Sequence, residues 1–435
     1  MTNEINALYF LFPILACITL LTYYFCKSDI LEPSVIVCTM MTISSLFALW
    51  NIDRWHLSIG FYTLLVIISS LLALGFGSVW CHSVVCRKFA NNVYIESNSV
   101  TSVVEISNLK ICLSSLLLLL MAYISFDSML LLSNSLGNKE GISGMIMTVR
   151  QSIEHQGLLM SSGMLVRCSI AQILAYVYIY SFAFNSIHHG FKIENSKLLI
   201  PVALYLPFIV LTTGRMHLLF LVIYTLVINA IIYQKKHGYT FAVQRKLIIV
   251  FFISGFLFFS VFLAFGSFTG KNISQNRTPF IIVSHYVGLS IPALDSFLKT
   301  EHMEDNYIGK NTLVGVYGNF RSLGFDLPKP VLCEFAKFHN IDTNVYTALR
   351  RYVEDFGYLG MLGICWLLGF FYTLFYNRIK YHESTPFAII AYAIFCHPLF
   401  TFSQDEGFLS AFVNSYGISV IILLFLLIRV LIRIR

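Results

Sequence analysis

Apolar runs long enough to cross a bilayer recur along almost the whole chain and leave room for little else. They fall at 6–26, 34–50, 57–80, 110–126, 163–187, 198–213, 216–233, 247–267, 358–377, 385–403 and 415–432. A hydrocarbon core takes roughly twenty helical residues, so the pattern predicts an all-α integral membrane protein with about eleven spans. Short apolar pieces at 129–132 and 142–149 leave room for a twelfth. Of the 435 residues 57% are hydrophobic and 12% charged, too little polar surface to cover a soluble domain of this length. No internal repeat is visible. The first four residues carry no basic group, and 5–26 is too long for the core of a cleavable signal, so it reads as a retained first span.

Charge placement sets the expected orientation. The net charge of +7 comes from small basic groups at the ends of apolar runs, a topology signal and not a nucleic-acid footprint. Lys27, Arg87, Lys88, Lys110, Lys192, Lys197, Lys235, Lys236, Arg245, Lys246, Arg378, Lys380, Arg433 and Arg435 fall on one side. The short connections of the other side hold Arg54, Lys139, Arg150, Arg167 and Arg215. The first side is therefore expected to be cytoplasmic. With an odd number of spans the N-terminus is then outside, in the periplasm if the cell is Gram-negative, and the C-terminus is cytoplasmic.

One stretch breaks the pattern. Residues 266–357 lie between two apolar runs and are too polar to enter lipid, which divides the chain into 1–265, the loop 266–357, and 358–435. Long loops on rigid scaffolds are where binding and catalytic residues collect. Thr278 and Pro279 read as a cap and first residue of a helix that runs through His285 towards Pro292. Residues 309–324, rich in Gly and Asn, read as irregular, and Lys329 and Pro330 as a turn. Residues 344–356 read as a second short helix that feeds the ninth span through Gly357. A middle-sized loop at 127–162 is expected to carry short interfacial helices.

The candidate chemistry is a set of arginines on the loop side: Arg215, Arg277, Arg321, Arg350 and Arg351. Guanidinium groups present paired donors and stay charged near a low-dielectric surface, which suits phosphate oxygens. For Arg350 and Arg351 the alternative is local pairing, because Glu354 and Asp355 follow at helical spacing. Candidate proton acceptors on the same side are His217, His285, Asp295, Glu354, Asp355 and His397, with His285 best placed, on a helix that starts beside Arg277. Cys81, His82 and Cys86 have loose metal-ligand character but no second ligand pair at a usable spacing. Most of the ten cysteines lie in apolar runs, so no disulfide framework is expected. No Asp-x-Asp or Glu-x-Asp pair, no phosphate-binding Gly-Lys-Ser/Thr loop and no Gly-x-Ser-x-Gly occurs. No metal and no cofactor are therefore expected in the chemistry.

Three stretches carry a resemblance. Lys27 to Pro33 is a basic-then-Pro connection after the first span, and Thr212 to Arg215 is a short Arg-bearing turn that opens a span. Asn344 to Thr347, followed by Asp355, Phe356, Gly357, Tyr358, Leu359 and Gly360, forms the exit from the long loop. In this order the chain resembles the bacterial oligosaccharide repeat-unit polymerases, the Wzy-type O-antigen polymerases, which are related in scaffold to O-antigen ligases. The resemblance implies a GT-C-like membrane glycosyltransferase that joins undecaprenyl-diphosphate-linked oligosaccharides without a metal. It implies His285 as the group that activates the acceptor hydroxyl and Arg215 and Arg277 as diphosphate contacts, with His285 and Arg277 the expected catalytic groups. The charge and position of Arg321, Arg350 and Arg351 make them further expected diphosphate contacts. It also implies membrane lipid, a chain-length regulator and a flippase as partners. An O-antigen ligase and a lipid-linked oligosaccharide flippase remain alternatives.

Overall fold

The backbone amides of a segment in lipid must be satisfied within the segment, so apolar runs of this length become helices. In the computed structural model, residues 6–85, 103–156, 160–213, 216–268, 279–300, 307–329, 334–382 and 384–434 are described. In chain order the helices begin with α1 (Leu8–Phe25), α2 (Pro33–Trp50) and α3 (Phe61–Trp80), which a π turn extends over Cys81–Val85. The strand β1 (Val104–Glu105) precedes α4 (Asn108–Ser135), α5 (Ile142–Gln156) and α6 (Ser162–His189). Next come α7 (Ile200–Leu211), α8 (Met216–His237) and α9 (Phe241–Phe268). The former long loop holds α10 (Pro279–Gly288), α11 (Ser290–Leu298), α12 (Val314–Ser322), β2 (Ala336–Phe338) and β3 (Ile341–Thr343). The chain closes with α13 (Ala348–Tyr381), α14 (Pro386–Phe395), α15 (His397–Thr401), α16 (Leu409–Phe412), α17 (Ser415–Leu431) and β4 (Arg433–Ile434).

Ten helical segments among the described residues are long and apolar enough to cross a membrane, and two shorter apolar helices lie at Pro386–Thr401 and Ser415–Leu431. The protein is an all-α, multi-pass membrane protein. Nine of the ten segments coincide with expected spans, and the two shorter helices fall on the last two. The tenth, Phe280–Leu298, lies in the stretch read as loop. The expected loop at 127–162 starts late, since α4 runs on to Ser135 and only α5 stands apart.

The chain divides into two units. Unit 1 comprises Met1–Tyr94, Thr278–Ser384 and Phe395–Ser419. Its frame is α1, α2, α3 and α13. Helices α3 and α13 pack so closely that a side chain at Gly77 would strike the backbone of Trp366, and one at Gly369 that of Leu74. Small residues permit this approach, and dispersion between backbones then holds apolar helices together where lipid removes the hydrophobic drive. At one end of the frame Ala7 N–H bonds Ile59 O at 3.2 Å, and Ala348 N–H bonds Phe402 O at 2.9 Å. At the opposite end Lys380 Nζ lies 2.6 Å from Asp29 Oδ2.

Helices α10 and α11 form a hairpin in the first of these ends. Phe280 packs on Trp50 and Phe47, the last turn of α2, with ring centroids 5.6 and 5.7 Å away. At the hairpin's bend Ser44 Oγ donates to Val287 O at 2.7 Å and lies 3.2 Å from Ser290 Oγ. Gly288 is required here, because a Cβ would come within 2.9 Å of Ala48 N. The return arm places Asp295 Oδ1 2.7 Å from both Gly60 N and Thr63 Oγ1, at the first turn of α3. Both arms thus lie at the same end of α2 and α3, and the bend is only about 9 Å along α2 from Trp50, at 1.5 Å per residue. The segment therefore runs in along α2 and turns back towards the first turn of α3. Its backbone is shielded by protein, the condition under which such a re-entrant turn is tolerated.

Unit 2 comprises Ile95–Arg277, Thr385–Ile394 and Val420–Arg435. In it Tyr176 and Tyr224 stack at 3.8 Å, and Tyr224 O–H donates to Tyr176 O, tying α6 to α8. Arg167 bonds Ser125 and Ser128 of α4, so it is a packing residue. Strand β1 pairs antiparallel with β4. Leu113, Leu116, Leu117 and Leu120 form an exposed stripe at helical spacing on α4, and Phe252 and Phe256 stand exposed on α9. Apolar faces of this extent suit lipid and not water.

Candidate functional site

The polar end of unit 1 is organised by the first two turns of α13. Residues 348–356 are helical, Gly357 departs to φ 66° and ψ −176°, and the helix resumes beyond it. That left-handed backbone is open to glycine at little steric cost, which explains Gly357 at the junction. The break separates a polar helical cap from the apolar span. Successive residues on a helix point about 100° apart, so Arg350 and Arg351 diverge.

Arg350 is 8% exposed. Its guanidinium lies over the rings of Tyr346 (4.1 Å) and Phe297 (4.9 Å). It pairs with Glu334, and with Glu354 at 3.7 Å. Arg350 therefore joins α13, the return arm of the hairpin and the segment before β2. Arg351 faces elsewhere: Nη1 donates to Asn311 O at 3.1 Å, and Nη2 lies 3.0 Å from Asp405 Oδ1. The spacing that suggested an Arg351–Asp355 pair serves another purpose. Asp355 accepts from Asn311 N, Asn311 Nδ2, Thr312 N and Thr312 Oγ1 at 2.7–3.1 Å, and so fixes the turn that aims Asn311 O at Arg351.

The connection between α15 and α16 supplies the facing carboxylate. Glu406 is buried and accepts from Tyr352 O–H at 3.1 Å and from the amides of Phe408, Leu409 and Ser410 at 2.7–2.9 Å. A carboxylate capping the start of a short helix holds the whole connection in one shape. Asp405, its neighbour, is thereby turned outward, with 59% of its side chain exposed. Glu406 N–H donates to Asp405 Oδ1 at 2.7 Å. Desolvation by the surrounding protein raises the Asp405 pKa above the ordinary carboxylate value, against the lowering effect of Arg351. Crowding and exposure pull in opposite senses here; the accessible area decides whether a molecule can reach the group, and Asp405 can be reached.

The other expected site residues are distributed as follows. His285 on α10 is bonded through Nε2 to Asp342 O of β3 at 2.9 Å. A carbonyl can only accept, so Nε2 carries a proton. Arg321 at the end of α12 donates to Pro328 O at 2.6 Å and closes its own loop. Asp295 is buried against Lys299, Gly60 and Thr63, a structural role. Arg215 and Arg277 lie outside the described residues. The structure thus brings together Arg350, Arg351, Glu354 and Asp355 and adds Asp405 and Glu406, which sequence reasoning passed over. Their signal was an acidic pair in the polar connection between the last two apolar runs. No family model, curated protein or solved structure matches this chain.

Proposed function

We propose that this protein is a membrane glycosyltransferase that joins undecaprenyl-diphosphate-linked oligosaccharide units at the periplasmic face of the inner membrane, acting as an O-antigen polymerase. The observation that carries the reading is the Arg351–Asp405 pair, 3.0 Å apart at the polar end of unit 1. Arg351 uses two of its five N–H donors on Asn311 and Asp405. The remaining donors suit diphosphate oxygens, whose growing negative charge must be stabilised as the bond to the sugar breaks. Asp405 is solvent-reached and has a raised pKa, which suits a base that takes the proton from the acceptor hydroxyl. In the step, the hydroxyl oxygen bonds the anomeric carbon and the carbon–phosphate oxygen bond breaks. The electron pair leaves with the lipid diphosphate, and the hydroxyl proton passes to Asp405. Arg350, enclosed by Tyr346, Phe297 and Glu334, holds the frame in this reading. His285 stands as a second candidate base.

Lipopolysaccharide from a strain lacking the gene tests the proposal. A single repeat unit on the core is the expected result. Loss of every repeat unit from the core would point to a ligase or flippase, and an unchanged ladder would remove the protein from this pathway.

A further inference from the structure

The opposite end of unit 1 holds a second cluster, and it is independent of the glycosyltransferase reading. Cys26 follows α1, Glu32 directly precedes α2 and His82 sits on the π turn after α3. One donor atom from each lies within 4.8 Å of the others. His82 Nε2 is 3.1 Å from Glu32 Oε1. Cys26 and Glu32 are buried, at 1% and 0% exposure. The second carboxylate oxygen, Glu32 Oε2, is buried without a hydrogen-bond partner.

A buried carboxylate needs a compensating charge and a partner for each oxygen. Lys380 acts on Glu32 by charge alone, whereas its Nζ and Tyr376 O–H both bond Asp29 Oδ2, at 2.6 and 2.7 Å, so Glu32 Oε2 is left without a hydrogen-bond partner. The far side of the imidazole has its own support: His82 Nδ1 lies 3.2 Å from the Asn377 side-chain amide on α13, whose Oδ1 is also buried without a partner. With that amide turned over, Oδ1 accepts from Nδ1–H and fixes the tautomer whose Nε2 lone pair faces Glu32 and Cys26. An imidazole held in this way by an outer acceptor is the usual arrangement of a metal-bound histidine. Thiolate, imidazole and carboxylate together suit a borderline divalent ion of the zinc class.

We propose that Cys26, Glu32 and His82 bind one zinc-class divalent cation that ties the ends of α1, α2 and α3 together beside α13. The site is structural, at the end of unit 1 opposite Arg351 and Asp405. The ion would neutralise Glu32 and engage its unpartnered oxygen.

The test is metal content and cobalt(II) titration of the full-length protein purified in detergent. The wild type is expected to retain a single zinc and, after exchange, to show a near-ultraviolet thiolate-to-cobalt(II) charge-transfer band. Cys26→Ser and His82→Ala abolish the band, whereas Cys17→Ser, which changes an exposed cysteine, keeps it. Asn377→Leu, which spares all three ligands, weakens cobalt(II) binding on the order of 10–100-fold. Should Cys26→Ser fail to fold, Asn377→Leu and the wild-type spectrum still decide. A wild type that holds no zinc and gives no band leaves a His82–Glu32 ion pair only and overturns the proposal. So does a band that survives in folded Cys26→Ser.

Discussion

Arg351 Nη2 and Asp405 Oδ1 lie 3.0 Å apart although 54 residues and the apolar body of α13 separate them in sequence. The pair exists because two other carboxylates fix what surrounds it. Asp355 shapes the turn that supplies Asn311 O to Arg351, and Glu406 shapes the connection that carries Asp405. Neither member of the pair could hold its place if its support were lost.

On the proposed function, Asp405→Asn keeps the shape of the side chain and removes the candidate base. Polymerisation is expected to fall about 10²–10⁴-fold, the range for loss of a general base. Arg351→Lys should recover little, because a single ammonium cannot contact Asn311, Asp405 and a phosphate together. Glycan ladders at matched protein level check both, and a normal ladder from Asp405→Asn would return the base to His285.

The pH profile follows from the direction of the Asp405 shift. Only the ionised form accepts a proton, so activity falls as pH drops through the folded-state pKa, which desolvation has raised. The acid limb should therefore lie above the ordinary Asp range, and Asp405→Asn should erase it. The stability sign is opposite to that of a salt-bridged carboxylate. A raised folded pKa stabilises the fold below the unfolded pKa, and that contribution is lost as pH rises through the folded value. Accordingly Asp405→Asn should not lower the melting temperature at neutral pH. Rates of purified enzyme across pH, with melting curves alongside, read both effects.

Asp355→Ala leaves the amides of Asn311 and Thr312 without their acceptor. The expected cost is about 1–3 kcal/mol of stability, with loss of activity as Asn311 O leaves Arg351. Asp355→Asn should retain part of both, since its amide oxygen still accepts. Equal behaviour of the two variants in thermal melts would argue against this role.

The α10–α11 hairpin predicts a topology result. Reporters fused after Phe268 and after Tyr307 should both report the periplasm, and a reporter after Arg435 the cytoplasm. Opposite readings at the first two positions would make the segment a span and reverse the sides of everything downstream.

The amino-acid sequence determined the helices and their number closely, because a run of apolar residues in lipid has no other way to satisfy its backbone. It also marked Gly357 as the joint between a polar helix and a span, since composition changes sharply there. The Arg350–Glu354 pair was readable too, as helical spacing is local. The partners of Arg351 and Asp355 were not, because both reach across to other segments, and spacing along one helix says nothing about which face meets which loop. The sequence pointed to Cys81, His82 and Cys86 as a weak ligand set; Cys86 lies outside the described residues, and among those the structure gathers Cys26 and Glu32 around His82. The hairpin was missed for another reason. Residues 266–357 were read as one polar loop, whereas Phe280–Leu298 has the length and hydropathy of a span, and the bonds of Ser44 and Asp295 to it show that the chain turns back. Local periodicity follows from backbone geometry and solvent, whereas a site depends on contacts between distant segments, and those are decided by helix packing.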